Sequence, residues 1–337
     1  MPRRMLPAQR VPSSEAASSG VPVSPSSFGD RPTVAVVGSV NLDVVVPVDR
    51  HPRLGETVIG GDHYRAAGGK GANQAVACAR LGAPTRFVGC VGDDDVGATL
   101  ASALTDDAVD VTHLASLAGV PSGMALIVVD GTGENTIVVS PGANARLTSE
   151  RVTAAPLAEA AAVLLQLEVP MPAVVAASSA ARGLVVLNPA PATSLPDELL
   201  AGTDVLVPNR GELAVLAGVP TEPTTAGEVV DLVRGLRGPR QVVVTLGSDG
   251  ALAVDGPTVT AVPAIEVEAV DTTAAGDSFC AALTVALIEG AALADATRWA
   301  VRAAAITVTR RGAQPSLPTR DEVAESADER RERSAGT

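Results

Sequence analysis

Thr33-Val-Ala-Val-Val-Gly-Ser-Val40 is a short, mostly β-branched apolar run without polar alternation. A strand with one wet face alternates apolar and polar residues, whereas an unbroken run of this length marks a strand buried on both faces. The same mark returns at Arg86–Val91, Ala161–Leu167, Leu184–Leu187, Val205–Val207 and Val242–Leu246. Helical spacing separates many of these runs, at Ala72–Leu81, Gly97–Leu104, Pro172–Ala181, Arg210–Ala217 and Ala226–Leu236. Strand and helix in alternation imply a mostly parallel sheet with helices on both faces. Ligands of such folds collect at the carboxyl ends of the strands.

Two segments depart from the pattern. Asp43–Arg65 carries β-rich pieces, Val44–Val46 and Thr57–Gly60, with no convincing helix between them. Ala125–Asp130 and Asn135–Ser140 flank Gly131-Thr-Gly-Glu134, which reads as a β-hairpin. These pieces form either a small separate sheet over the strand ends, a cover that would keep water from a reacting centre, or edge strands of the main sheet.

The chain has 337 residues, of which 46% are hydrophobic and only 1% aromatic, so a large core must be built from Ala, Val and Leu. A net charge of −13 and the lack of a Lys/Arg cluster in the body argue against a nucleic-acid surface, but not against small anions. No apolar run approaches a membrane span. Cys78, Cys90 and Cys280 sit unpaired in apolar segments and read as buried thiols in a reducing, cytoplasmic setting. His51, His63 and His113 are scattered, which disfavours triad hydrolases and His-ligated metals. Residues 1–31, rich in Pro, Ser, Ala and Arg, are expected to be a disordered extension without the apolar region of a secretory signal. Residues 321–337 are expected to be a polar tail.

Asp271-Thr-Thr-Ala-Ala-Gly-Asp277-Ser278 brackets small residues with two carboxylates, and Phe279, Ala282, Leu283, Ala286 and Leu287 then recur at helical spacing. A helix starting near Ala275 leaves free amides beside Ala275 and Gly276, a ready anion site. Asp277 reads either as a base beside a bound anion or as an acid on the helix dipole. Asn41 and Asp43 share a face if extended, and suit a polyol or a turn. Gly68-Gly-Lys70-Gly-Ala-Asn73-Gln is not a Walker loop, because Tyr64 stands at its first glycine and Gly71 at its Ser/Thr. Lys70 is the only lysine against 24 arginines, and a compact ammonium in a glycine loop suits hydroxyl recognition. Glu168 ends a strand, where it faces a crevice. Asn209 and Glu212 fit a capping box or the organisation of Mg²⁺ and its waters. Thr245-Leu-Gly-Ser-Asp-Gly250 is a hairpin turn or a loop under a nucleotide, and Arg310–Ser316 is at least a helix stop.

Together, Gly38-Ser-Val-Asn41-Leu-Asp43, Gly69-Lys-Gly-Ala-Asn73-Gln, Leu165-Gln-Leu-Glu168, Leu187-Asn-Pro-Ala-Pro191, Pro208-Asn209-x-x-Glu212, Thr245-Leu-Gly-Ser248, Asp271-Thr-x-Ala-Ala-Gly-Asp277 and Gly312-Ala-Gln-Pro-Ser316 resemble the PfkB carbohydrate kinase family, and within it the kinases of ribose. The match runs in order from Pro32 to Pro318 and implies one kinase domain over 32–320. The implied fold is a three-layer α/β/α sandwich with a mostly parallel central sheet and a small β-sheet lid, its pieces near 43–65 and 123–140. The resemblance implies ATP-dependent phosphorylation of the 5-hydroxyl of D-ribose, with Asp277 as base and the Ala274, Ala275 and Gly276 amides as anion hole. It places the sugar on Asn41, Asp43, Gly69, Lys70, Gly71, Asn73 and Glu168. ATP would lie along Asn209, Thr245, Leu246, Gly247, Ser248, Asp249, Gly250 and Gly276, with Asn209 and Glu212 near Mg²⁺. Asp271, Thr273, Thr307, Arg310, Gly312 and Ser316 match a loop pair that holds K⁺, several through carbonyls. A homodimer through the lid is implied as well. Val301 departs from the Asn or His often found near the adenine. A sibling kinase of deoxyribose, a nucleoside or another sugar shares these motifs, and a non-catalytic binding regulator would lack Gly276 or Asp277.

Overall fold

The computed structural model describes residues 31–326. The extension expected over 1–31, apart from Arg31, and residues 327–337 of the expected tail lie outside them. In chain order the strands are β1 (Val34–Val37), β2 (Asn41–Pro47), β3 (Tyr64–Gly68), β4 (Thr85–Gly92), β5 (Asp110–Leu117), β6 (Gly123–Val129), β7 (Asn135–Ser140), β8 (Ala162–Leu165), β9 (Leu184–Leu187), β10 (Val205–Leu206), β11 (Gln241–Thr245), β12 (Ala251–Asp255) and β13 (Thr258–Val262). The helices are α1 (Lys70–Arg80), α2 (Asp95–Asp106), α3 (Ser149–Thr153), α4 (Met171–Ala180), α5 (Asp197–Ala201), α6 (Arg210–Ala217), α7 (Ala226–Gly235), α8 (Ala275–Ile288) and α9 (Leu293–Thr307).

Nine strands make the main sheet in the order β13-β12-β11-β10-β9-β8-β1-β4-β5. Every pairing from β5 across to β11 is parallel, and the β12–β13 hairpin closes one edge antiparallel. Successive residues of a strand point to opposite faces, and both faces here are dry. Val34 and Val36 join one core with Val76, Leu100, Phe279, Leu283 and Ala300, from α1, α2, α8 and α9. Ala35 and Val37 join the other with Val174, Leu199, Leu213 and Val229, from α4 to α7. The continuous apolar runs are thus explained by helices on both sides. Beyond α9, residues 320–326 are helical and bury Val323, so the ordered body runs past the expected boundary at 320.

A second, four-stranded sheet of order β3-β2-β6-β7 stands apart from the first, which decides for a lid over an extra edge. Its members differ from expectation in one place. Thr57–Gly60 is irregular, and the partner of β2 is Tyr64–Gly68. The Arg-Ala-Ala-Gly of β3 has little intrinsic strand preference; antiparallel pairing with β2 holds it extended. Gly68 at its end is required sterically, since a Cβ there would come within 2.1 Å of Asp43 Oδ2. β1 leads through Gly38–Val40 straight into β2, which carries Asn41 and Asp43 over the carboxyl edge of the main sheet. Strand β5, the β12–β13 hairpin and helices α3 and α5 were not marked by the sequence pattern.

Candidate active site

The loops that follow β1, β8, β9, β10 and β11 meet at one edge of the sheet, where α1 and α8 begin. Asp277 lies in the first turn of α8 and is buried. Ala274, which precedes the helix, takes the left-handed conformation at φ 60°, uncommon for a residue with a side chain. First-turn amides have no partner inside a helix; here the Ala275 amide donates to the Thr272 carbonyl at 3.3 Å, and Ala274 and Gly276 line the cleft. A Cβ on Gly276 would meet nothing within 4 Å, so the space beside its Cα is open.

The cleft, of about 240 Å³, is lined by Lys70, Asn209, Glu212, Thr245, Gly276 and Asp277 among others. A larger groove of about 830 Å³ between Ser116–Val120 and Ala145–Arg151 contains none of the residues singled out in the sequence. Size therefore does not mark the site; the convergence of motif residues does.

Asp277 is held by two amides. Asn73 Nδ2 donates to Oδ2 at 2.9 Å and Gln74 Nε2 donates to Oδ1 at 3.0 Å. Burial pushes its carboxyl above the usual range, Lys70 and the two amide donors pull the other way, and Glu168 adds to the rise. Asn73 Oδ1 is buried and has no protein partner, which leaves an acceptor beside Asp277 open to a donor. Burial by itself would lower the Lys70 pKa, but Asp277, Glu168 and Glu212 outweigh it and hold the ammonium protonated.

The other expected sugar residues gather around the same two charges. Glu168 Oε2 accepts from Ser39 Oγ at 2.5 Å and from the Lys70 amide at 3.1 Å, which ties the start of α1 to the end of β8. The Asp43 carboxyl is raised to about 7 by burial, then by Glu168 and Asp277. Asn41 is buried, and its Oδ1 accepts from Asn144 Nδ2 at 2.7 Å, which leaves its own amide hydrogens to face elsewhere. Gly69 has φ +89° and its backbone packs on Val40 and Asn41, so the glycine loop crosses the β1–β2 turn in contact. Gly71 is buried against Gly38 and Ser39, where a Cβ would come within 2.6 Å of the Ser39 nitrogen; its identity is set by that crossing.

Across the cleft, Asn209 and Thr245 form an isolated parallel bridge, and the Thr245 amide donates to Pro208 at 2.9 Å. Asn209 and Glu212 make the reciprocal capping box of α6, with Glu212 N to Asn209 Oδ1 at 2.7 Å and Asn209 N to Glu212 Oε2 at 2.8 Å. The cap reading is therefore realised, and Glu212 still lines the cleft, its carboxyl raised first by burial. Leu246, Gly247, Ser248, Asp249 and Gly250 form a tight turn after β11, Ser248 exposed and Asp249 paired with Arg210 at 2.7 Å.

Asp271 joins two loops. Its Oδ1 accepts from the Thr273 amide at 2.9 Å and its Oδ2 from the Gly312 amide at 2.8 Å, while the Val270 amide donates to Val308 at 2.7 Å. These bonds outweigh burial and hold its carboxyl below the usual range. Ser316 Oγ and Thr307 Oγ1 donate to nearby carbonyls, and the Arg310 guanidinium turns to Glu322, so Arg310 offers this loop pair its carbonyl alone. Asp271 and Asp277 have separate partners and are not an acid/base pair.

Four amides escaped the sequence reading as site parts: Gln74, Gln166, Asn188 and Asn144. Gln74, Gln166 and Asn188 stood inside quoted motifs with no role attached, and Asn144 lies in a short turn after β7 without any sequence signal.

A model of the pfkB family carbohydrate kinases matches residues 31–320. The ribokinase of Haemophilus influenzae is 40% identical over 300 residues, covering 88% of this chain and 98% of the relative. Among solved structures, ribokinase from Thermotoga maritima superposes with a TM-score of 0.79 at 37% identity, covering 87% of this chain and 98% of that one. Arabidopsis thaliana ribokinase complexed with ribose and ATP gives 0.80 at 36% identity, covering 88% and 98%.

Proposed function

This chain belongs to the pfkB family of carbohydrate kinases, and from that premise we propose that it transfers the γ-phosphoryl group of ATP to the 5-hydroxyl of D-ribose. The observation that carries the reading is the placement of Asp277: a buried carboxylate, oriented by two amides, in the first turn of a helix whose start, at Ala274 and Gly276, lines the cleft. The sugar lies against Asn41, Asp43, Asn73 and Glu168, and its 5-hydroxyl donates to Asp277. As the hydroxyl oxygen attacks the γ-phosphorus, the proton passes to Asp277, and the bond from phosphorus to the bridging oxygen of ADP breaks. The amides of Ala274, Ala275 and Gly276 meet the charge on the equatorial oxygens, and Lys70 adds its ammonium between the two substrates. ATP runs from Gly276 along Asn209, Thr245 and the Leu246–Gly250 turn.

Two cations belong to this reading. Glu212, with Asn209 as its cap, stands where it would hold Mg²⁺ through water, and the Asp271–Thr273 and Thr307–Ser316 loops would hold K⁺; both supply positive charge beside the phosphates. Leu126, Ile137, Val138 and Val139 are large apolar side chains exposed on the lid sheet, which supports a homodimer paired through it. Three buried free thiols support a cytoplasmic location.

The test is ADP release measured across pentoses, hexoses and nucleosides, with K⁺ or Na⁺ as the only monovalent cation. D-ribose is expected to give the highest kcat/KM; a nucleoside or hexose that exceeds it overturns the substrate.

A further inference from the structure

Buried amides around Asp277 form a chain whose direction is fixed at one end. The Val207 carbonyl can only accept, so the group that meets it at 3.1 Å is Asn188 Nδ2. Asn188 therefore turns Oδ1 towards Gln74, and Gln74 must answer with its Nε2, at 3.2 Å. That same NH₂ has a second hydrogen, which goes to Asp277 Oδ1 at 3.0 Å. Gln74 Oε1 is left for Gln166 Nε2. Flipping Gln74 would set its oxygen against two acceptors and its nitrogen against a donor. Gln74 and Gln166 are fully buried. A Cβ on Gly38 would fall 2.1 Å from Gln166 Oε1 and 2.8 Å from Gly71 Cα, so the chain is packed in place by a crossing of two glycines.

We propose that Gln74 is a positioning residue for phosphoryl transfer: it keeps a donor on Asp277 Oδ1 and thereby holds the carboxylate ionised and aimed, with Asn188 and the Val207 carbonyl setting its polarity. The charged and titratable groups facing Asp277 are Lys70 from α1, Glu168 after β8, Asp43 from β2, Glu212 from α6 and the Cys280 thiol one turn along α8. Three are carboxyl groups and burial keeps the Cys280 thiol protonated, so the anion depends on Lys70 and on its amide donors. Removing one donor from a buried carboxylate favours the protonated form, which cannot take a proton from the sugar. The proposal rests on Asp277 as the base.

The experiment is the single-turnover rate of ribose phosphorylation at saturating substrates between pH 5 and 9.5, for the full-length parent, Gln74→Met and Asn188→Leu. Gln74→Met keeps the length of the side chain and loses the donor. Its acid limb is expected to move up by about one to two pH units, so that the rate is about 10- to 100-fold low on that limb and recovers to within several-fold at the alkaline end. KM for both substrates should change by less than about threefold. Asn188→Leu frees the polarity of Gln74 and should shift the limb in the same direction by less. A loss uniform across pH, or an unmoved limb in both variants, overturns the proposal. Should Gln74→Met fail to fold, Asn188→Leu decides alone by the same criterion. Asp277→Asn run alongside separates the two readings: near-parental activity there removes the base, whereas an inactive Asp277→Asn with unmoved limbs removes only the role of Gln74.

Discussion

Asp43→Asn should make the unliganded protein more stable and a poorer kinase, and the gain in stability should depend on pH. The Asp43 carboxyl rises from 3.8 to about 7 on folding, through burial first and then the charges of Glu168 and Asp277. Below the unfolded value it is protonated in both states and costs nothing. As pH climbs towards 7 the unfolded chain releases a proton that the folded chain keeps, and above 7 the folded state carries the whole penalty. A rise of about three pH units at about 1.36 kcal/mol each sets a ceiling of about 4 kcal/mol. Asp43 is partly accessible to solvent, and an effective dielectric near 20 brings the expected gain to about 1–2 kcal/mol. At roughly 2–4 °C per kcal/mol for a large domain, Asp43→Asn should melt about 2–8 °C above the parent at pH 8 and within about 1 °C of it at about pH 3, below the unfolded value. The assay is thermal unfolding by circular dichroism without sugar or nucleotide. Loss of a charged acceptor should at the same time raise the ribose KM by about 10- to 100-fold. A variant that melts below the parent at pH 8, or one whose gain is the same at both pH values, refutes the argument.

Asp277→Asn should lower turnover by roughly 10²–10⁴-fold without lowering the melting temperature, because it removes the proton acceptor and relieves a buried charge; near-parental turnover would mean that another group takes the proton. Lys70→Met should lower kcat by about 10²–10³-fold and raise the ribose KM, since the ammonium lies beside Asp277 on the cleft wall; a rise in the ATP KM alone would place it wholly on the nucleotide side. Asp271→Ala releases the Thr273 and Gly312 amides and should abolish any difference between K⁺ and Na⁺ buffers, read from initial rates in each; a parent equally active in both removes the monovalent site itself.

The layer arrangement was legible because strands buried on two faces leave an unmistakable trace: Val34–Val37 and Ala162–Leu165 can be nothing but central strands. Start residues at Arg210 and Ala275 agree between sequence and structure because a cap or a break in composition stands there. Tyr64–Gly68 was not legible, since its pairing with β2 and not its own residues makes it a strand, and Thr57–Gly60 misled by three β-branched residues in a row that pair with no strand. Charged and glycine-rich parts of the site carried a signal because such residues are seldom placed without cause at strand ends. The amides did not. A buried Gln74 or Asn144 looks in sequence like any surface amide, and only contacts across more than a hundred residues give it a partner.

In the proposed reaction, donors and acceptors divide on two sides of Asp277. On one side stand Asp43, Glu168 and the free Oδ1 of Asn73, acceptors that suit a polyol whose hydroxyls all can donate. On the other stand the amides of Ala274–Gly276 and the Lys70 ammonium, donors that suit phosphoryl oxygens, which only accept. A chain of net charge −13 can therefore bind ATP without a basic patch, because the positive potential comes from backbone and one side chain at the point of transfer. The single lysine fits this division. An arginine in its place would extend five donors over a broad plane and pair with two or three of the surrounding carboxylates at once, taking from the sugar the acceptors it needs. A compact ammonium lowers the negative charge of the cluster and leaves those oxygens free, as the proposed passage of the hydroxyl proton to Asp277 requires.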